Sequence, residues 1–196
     1  PDGVPFELAS ASTDAVMTSY GAVMEAGKLR EGEKVGIIGF GGLGQIGARV
    51  AHLCGGELYV AEVNEKVWDA AYAAGAVKVV RDIRELSDVG LNVIVDFAGF
   101  GTTTAGAIEA VGFGGRVVQI GMGKLEATID TYPLIMKHVT LVGNTGGSRE
   151  AIAKVLEFMD SGDITPAIEL TDFDGIADGV DRLHRGEVRG RLVALY

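Results

Sequence analysis

From Lys34 onward the chain alternates two hydrophobic rhythms. Six short runs read as strands: Lys34 to Phe40 (KVGIIGF), Leu58 to Ala61, Val77 to Val80, Leu91 to Asp96 (LNVIVD), Gly115 to Gly121 (GRVVQIG) and Thr140 to Gly143. The first has no polar alternation, as expected of a strand buried on both faces. Between them apolar residues recur at helical spacing. Leu43, Ile46, Gly47, Val50, Ala51 and Cys54 form one such stripe. Asn64 is placed to cap a second helix carrying Val67, Ala70, Ala71 and Ala74, which Gly75 ends. Thr102 to Val111 reads as a third. Ser148 is placed to cap a fourth, with Ile152, Val155, Leu156 and Met159 on one face. Strands alternating with helices imply βαβ units. The predicted fold is α/β, a doubly wound parallel six-stranded Rossmann sheet.

The two ends break this rhythm. Residues 1 to about 30 contain no strand of this kind. After Gly162 come a short apolar run around Ile168, a helix with Ile176, Val180 and Leu183, and a last strand, Leu192 to Leu195. These segments are expected to lie outside the main sheet.

Composition narrows the class. At 196 residues and 47% hydrophobic, the chain can fill one core, or one domain plus part of a second. Its 30 glycines fall at turns between apolar runs, and only 4 prolines accompany them, which excludes a low-complexity linker. A net charge of −10 offers no basic stripe for nucleic acid. No apolar run reaches the length of a membrane span, and there is no signal-peptide pattern. The single cysteine, Cys54, excludes an internal disulfide framework and fits a reducing compartment, so a cytoplasmic location is expected. The chain opens at Pro1 without Met, which reads as a processed or truncated piece of something longer.

One turn carries chemistry. Gly39-Phe40-Gly41-Gly42-Leu43-Gly44 fits G-x-G-x-x-G, directly after the first strand and opening the first helix, with Glu62 23 residues after Gly39. The first glycine permits the tight turn, the second lets backbone approach a pyrophosphate, and the third lets helix pack on strand. The helix N-terminus adds unpaired N–H groups and a positive dipole end. Glu62, ending the second strand, can accept hydrogen bonds from both hydroxyls of an adenosine ribose, whereas a 2′-phosphate would meet its charge. Val63 supplies no cation, so NAD is favoured over NADP. The alternative for Glu62 is an ordinary solvated strand end. Lys66 either touches the ribose or is simply exposed.

With these residues assembled, the chain resembles the coenzyme-binding portion of the zinc-dependent alcohol dehydrogenases of the medium-chain dehydrogenase/reductase superfamily. The likeness also rests on Thr13 to Tyr20 (TDAVMTSY) with Ala22 and Ala26-Gly27, and on Gly32 to Val35 (GEKV). Asp96 to Gly99 (DFAG), Gly114 to Val118 (GGRVV), Gly147 to Glu150 (GSRE) and Gly186 to Arg191 (GEVRGR) extend it. The resemblance implies that Asp14 is a ligand of a catalytic zinc; its alternative is an N-cap for the segment through Tyr20. It implies that Thr18, Ile120 and Gly121 lie against the nicotinamide, that Phe97 and Ala98 lie near the adenosine, and that Arg191 reaches the pyrophosphate. The alternative for Arg191 is a surface residue before a strand.

The resemblance further implies a larger protein. A GroES-like N-terminal domain would supply a Cys and a His to zinc, a proton relay and, in many members, a four-Cys structural zinc. His52, His138 and His184 sit on separate elements and do not replace it, so no catalytic residue is assigned in this chain. Residues 1–20 and 165–196 would belong to that second domain and 21–164 to the NAD-binding Rossmann domain. The implied reaction is NAD-dependent interconversion of an alcohol and an aldehyde or ketone, with zinc polarising the substrate oxygen. The chain alone would bind NAD without turnover. Family members pair through the last strand of the coenzyme sheet, which would make Thr140 to Gly143 the edge of a homodimer or tetramer. Two other readings stay open: a zinc-independent quinone or enoyl reductase using NADPH, and a non-catalytic nucleotide-sensing module.

Overall fold

The computed structural model describes residues 3–188 and 190–196; Pro1, and Arg189 of the GEVRGR motif, fall outside the described residues. In chain order its regular elements begin with α1 (Phe6–Ala9), α2 (Ala15–Tyr20) and a π-helical turn, Gly21–Ala26. The βαβ body follows: β1 (Lys34–Ile38), α3 (Gly42–Leu53), β2 (Glu57–Ala61), α4 (Trp68–Ala73), β3 (Lys78–Val80), β4 (Leu91–Asp96), α5 (Thr102–Ala110), β5 (Val111–Gln119), α6 (Thr131–Met136), β6 (Thr140–Gly143) and α7 (Arg149–Asp160). The chain closes with β7 (Ile168–Asp172), α8 (Ile176–His184) and β8 (Arg191–Leu195).

Strands β1 to β6 form one all-parallel sheet in the order β3-β2-β1-β4-β5-β6. This is the doubly wound order, with its switch point between β1 and β4. The predicted fold class therefore holds. Each face of the sheet carries its own apolar core. One includes Val35, Ile37 and Val60 with Ala48, Val50 and Ala51 of α3; the other includes Ile94 and Val117 with Ala107 and Ile108 of α5. Runs apolar on both sides are what strands between two helical layers need, each buried Val or Ile contributing about 1.5–3 kcal/mol.

The local signals behave as read, with some boundary corrections. Asn64 accepts from Lys66 N, but what it caps is first a short 3-10 turn, Glu65–Val67, that runs into α4. Ser148 Oγ accepts from Ala151 N at 3.1 Å and caps α7. Val111 belongs to β5 and not to the preceding helix. The register jumps from Leu91↔Val111 to Val93↔Arg116, so residues 112–115 form a bulge that lets β5 start early. Strands β1, β3 and β5 each end or begin a residue or two inside the apolar runs, because Gly39 turns at φ 84° and the residues after β5 leave the ladder.

The ends lie outside the main sheet. β7 and β8 pair in parallel as a separate two-stranded sheet. Helix α8 meets it through Gly179, where a Cβ would stand 2.3 Å from Leu192 Cδ2. Its Ile176, Val180 and Leu183 are exposed, as are Leu170, Phe173 and Leu195 nearby. No helix among the described residues is long and apolar enough to cross a membrane.

Candidate coenzyme site

The glycine turn joins β1 to α3 at the carboxyl edge of the sheet. Its glycines are required for different reasons. Gly39 adopts φ 84°, a left-handed conformation that favours glycine. A Cβ on Gly44 would stand 1.8 Å from Gly39 O, so only glycine lets α3 pack this closely on the turn. A Cβ on Gly41 would meet nothing within 4 Å. The protein itself therefore does not explain Gly41; a group approaching its backbone would. No side chain caps the N-terminus of α3, whose axis starts at Gly42 beside Leu43. Its first N–H groups and positive dipole end face outward, as an anion site needs.

Glu62 follows β2 and turns its carboxylate onto this turn. Oε2 accepts from Phe40 N at 2.6 Å and Oε1 from Asn64 N at 2.7 Å. Its backbone is held in turn: Glu62 N donates to Val80 O at 2.9 Å and Trp68 Nε1 donates to Glu62 O at 2.9 Å. The carboxylate is thus fixed in place by backbone donors, with lone pairs left over and no ion pair among the described residues. The strand end thus carries a positioned acceptor.

An open groove of about 510 Å³ runs past these groups, lined by Phe40, Gly41, Gly42, Glu62, Asn64, Lys66 and the segment Gly186 to Val188 with Gly190. It brings together the glycine turn, Glu62 and Lys66 as the sequence predicted; Lys66 is exposed at its rim. A smaller cavity of about 150 Å³ at the ends of β1 to β3 is lined by Ile38, Ala61, Val63 and Arg81. Arg81 is a cation that sequence reasoning missed. It sits one residue beyond β3, and Glu65 occupies it at 2.9 Å.

The other predicted residues do not line this groove. Phe97 packs inward, its ring against Gly47 of α3, where a Cβ would come within 2.6 Å. Ala98 lies against Gly39, and Ile120 and Gly121 donate to Asp96 O at 3.0 and 2.9 Å. Thr18 is buried on α2. Its neighbour Ser19, which sequence reasoning did not single out, ties α2 to the turn: Ser19 Oγ lies 2.9 Å from Leu43 O and 2.7 Å from Ala15 O. A hydroxyl among small residues carries no local signal of such a contact.

Asp14 and Arg191 find each other. Arg191 Nη2 donates to Asp14 Oδ2 at 2.7 Å across 177 residues of chain. Asp14 stands at the N-cap position of α2 but makes no side-chain cap, so the capping alternative does not hold. Arg191 opens β8 and borders a cavity it shares with Gly42 and Gln45, close to the start of α3. No group of three or more His, Cys, Asp or Glu is placed to hold a metal among the described residues. The donor set present does not make up a zinc shell.

A doubly wound sheet with an uncapped glycine-turn helix at its switch point and a fixed carboxylate at the end of the neighbouring strand defines a Rossmann-type α/β protein. The chain belongs to the zinc-binding dehydrogenase family, whose model matches residues 42–161. Among curated proteins it is similar to an alcohol dehydrogenase of Geobacillus stearothermophilus, 26% identical over 98% of this chain and 59% of that protein. Among solved structures it is similar to the alcohol dehydrogenase of the archaeon Aeropyrum pernix, 29% identical with TM-score 0.84 over 97% of this chain and 58% of that one. It is likewise similar to acetophenone reductase from Geotrichum candidum in complex with NAD, 26% identical with TM-score 0.86 over 99% of this chain and 57% of that one. The chain spans somewhat under two thirds of the length of these relatives.

Proposed function

We propose that the protein carrying this chain interconverts an alcohol and an aldehyde or ketone using NAD(H), and that this chain holds the coenzyme. The observation that carries the reading is the glycine turn with Glu62 fixed beside it. NAD supplies the hydride acceptor or donor when bound. The residues of the chain bind and orient it: Gly41, Gly42 and the start of α3 take the pyrophosphate, Glu62 accepts from the ribose hydroxyls, and the cavity by Val63 takes the adenine. Thr18, Phe97, Ala98, Ile120 and Gly121 are assigned to the remaining contacts. The reading is supported by the family and by relatives whose names are alcohol dehydrogenase and, for a structure with NAD, acetophenone reductase.

Residues 165–196 are assigned to a second domain, in keeping with their separate sheet and exposed apolar side chains; residues 1–20 are assigned to it on the family resemblance alone, since Ala15 and Val16 lie in the core beside α3. Substrate turnover and zinc binding are assigned to the whole protein, Asp14 being the carboxylate this chain offers to the metal. Asp14 is paired with Arg191, which favours, as a second reading, a zinc-independent reductase in which this pair is purely structural. A homodimer is proposed through β6, the edge of the sheet, whose strand is largely exposed.

The test is alcohol oxidation by the full-length protein with NAD, alongside metal analysis. Turnover with bound zinc, and none from residues 1–196 alone, is the expected result. Turnover without zinc and with NADPH preferred selects the second reading.

A further inference from the structure

The turns after β1, β4 and β5 meet at the carboxyl edge of the sheet with almost no side chains between them. A Cβ on Gly39 would come within 3.1 Å of Ala98 Cβ, and one on Gly121 within 2.3 Å of the Ala98 carbonyl carbon. One on Gly99 would stand 1.9 Å from Gly121 O. Backbone touching backbone in this way needs something to hold the turns in place. That group is Asp96, fully buried at the end of β4.

Asp96 Oδ1 accepts from Ala98 N at 3.0 Å and from Gly99 N at 2.8 Å. Its Oδ2 takes the hydroxyls of Thr103 at 2.8 Å and Thr104 at 3.0 Å. Its backbone carbonyl accepts from Ile120 N and Gly121 N at 3.0 and 2.9 Å. The circuit closes through α5 and β5: the one Thr104 hydroxyl proton is shared between Asp96 Oδ2 and Gln119 Oε1, the latter 2.8 Å away, and Gln119 Nε2 donates to Gly121 O at 2.7 Å. Among the described residues no cation pairs with Asp96, so its acceptors serve the backbone of the two turns and the hydroxyls of α5.

In a doubly wound sheet the two mononucleotide halves meet where the strand order reverses, here between β1 and β4. The glycine turn belongs to the first half and the turn after β5 to the second. We propose that Asp96 is a positioning residue that locks the Ile120–Gly121 turn against the glycine turn through Thr104 and Gln119. It thereby sets the spacing at which both halves of one dinucleotide are held together. The proposal rests on the NAD reading above. It has a directional consequence, because the bonds of Oδ1 to Ala98 and Gly99 do not pass through Thr104. Cutting the Thr104 link loosens the Ile120–Gly121 turn, which then keeps only its backbone bonds to Asp96 O, and leaves the turn after β4, packed on Gly39, in place.

The test compares NADH with ADP-ribose, which lacks the nicotinamide. Thr104→Val removes the hydroxyl at nearly constant shape. It is expected to weaken NADH about tenfold, the scale of one hydrogen bond in a buried charged network, and ADP-ribose less than about twofold. Emission of bound NADH should move toward that of free NADH. Thr104→Ser restores the hydroxyl and should restore NADH affinity. Gln119→Met cuts the same link from its partly exposed end and should repeat the selective loss if valine packs poorly. Equal losses for both ligands, or an unchanged NADH affinity in both variants, overturn the proposal. Wild-type protein that binds neither ligand overturns the NAD reading instead.

Discussion

The two ends of the six-stranded sheet are finished by different means. At the amino end, charges meet charges. Arg116 of β5 donates to Glu33 at 2.6 Å and to Gly27 O at 2.7 Å, Lys34 Nζ reaches Val89 O at 3.1 Å, and the Tyr59 hydroxyl donates to Glu57. At the carboxyl end, the carboxylates of Glu62 and Asp96 are met by backbone N–H groups and hydroxyls, and glycines stand where turns cross. Both arrangements satisfy buried polar groups. Only the second leaves acceptors and N–H groups uncommitted by a counter-charge. The amino end is closed upon itself, and the carboxyl end keeps the free groups that the proposed coenzyme site needs, as expected of the strand ends at a switch point.

The sharpest way to break this contrast lies within the glycine turn itself. Gly44→Ala places a methyl 1.8 Å from Gly39 O and should cost about 3 kcal/mol or more, seen as a large drop in Tm together with lost NADH binding. Gly41→Ala meets nothing within 4 Å, so stability should stay within about 0.5 kcal/mol of wild type. NADH should nevertheless weaken roughly tenfold, because the added methyl stands where the pyrophosphate would approach. Equal effects of the two substitutions on Tm would show that Gly41 is structural, and the assigned ligand position would fall.

The amino end should respond in the opposite way. Glu33→Gln is expected to lower stability by about 1–2 kcal/mol in denaturant titration while leaving NADH affinity unchanged. It also predicts a pH dependence. Burial pushes the Glu33 carboxyl up, but the hydrogen bond from Arg116 and the Arg30 N–H outweigh it and hold it below the usual carboxylate range. A carboxyl depressed in the folded state gives stability above its unfolded pKa of roughly 4.5 and loses it as pH falls through the folded value. Wild type should therefore lose stability below about pH 4.5 faster than Glu33→Gln does.

A smaller effect belongs to the alkaline side. The hydrogen bond to Glu57, then burial, push the Tyr59 phenol up to about 12. The unfolded chain gives up that proton first, near pH 10, so the stability Tyr59 contributes is present below pH 10 and declines as pH rises toward 12. Tyr59→Phe should flatten that decline, read as Tm against pH, and cost about 1 kcal/mol at neutral pH through the lost hydrogen bond to Glu57.

The two ends also differed in how far the sequence announced them. The glycine turn was legible because its requirements are local: a tight turn, a close helix and an acid at the next strand end all fall within one βαβ unit. Alternation announced the parallel sheet, and six strands with the glycine fingerprint suited the doubly wound order. The amino-end pair could not be read, since Glu33 and Arg116 are 83 residues apart and neither charge carries a local signal of the other. The same holds for Asp14 with Arg191, where family likeness assigned each residue a ligand and the fold gave them each other. Arg81 was missed because its place beside Val63 depends on β3 lying next to β2. The early start of β5 was hidden by a bulge whose glycines resemble a loop.

The central claim is that the Glu62 carboxylate, held by Phe40 N and Asn64 N and facing no counter-charge, selects NAD. Calorimetric titration of NADH and NADPH into wild type and Glu62→Gln tests it most directly. Wild type should prefer NADH by about tenfold or more, on the scale of a charge meeting a 2′-phosphate, and Glu62→Gln should lose most of that preference. Wild type that binds NADPH as tightly as NADH, with Glu62→Gln unchanged, would contradict it and leave Arg81 as the residue that reads the ribose.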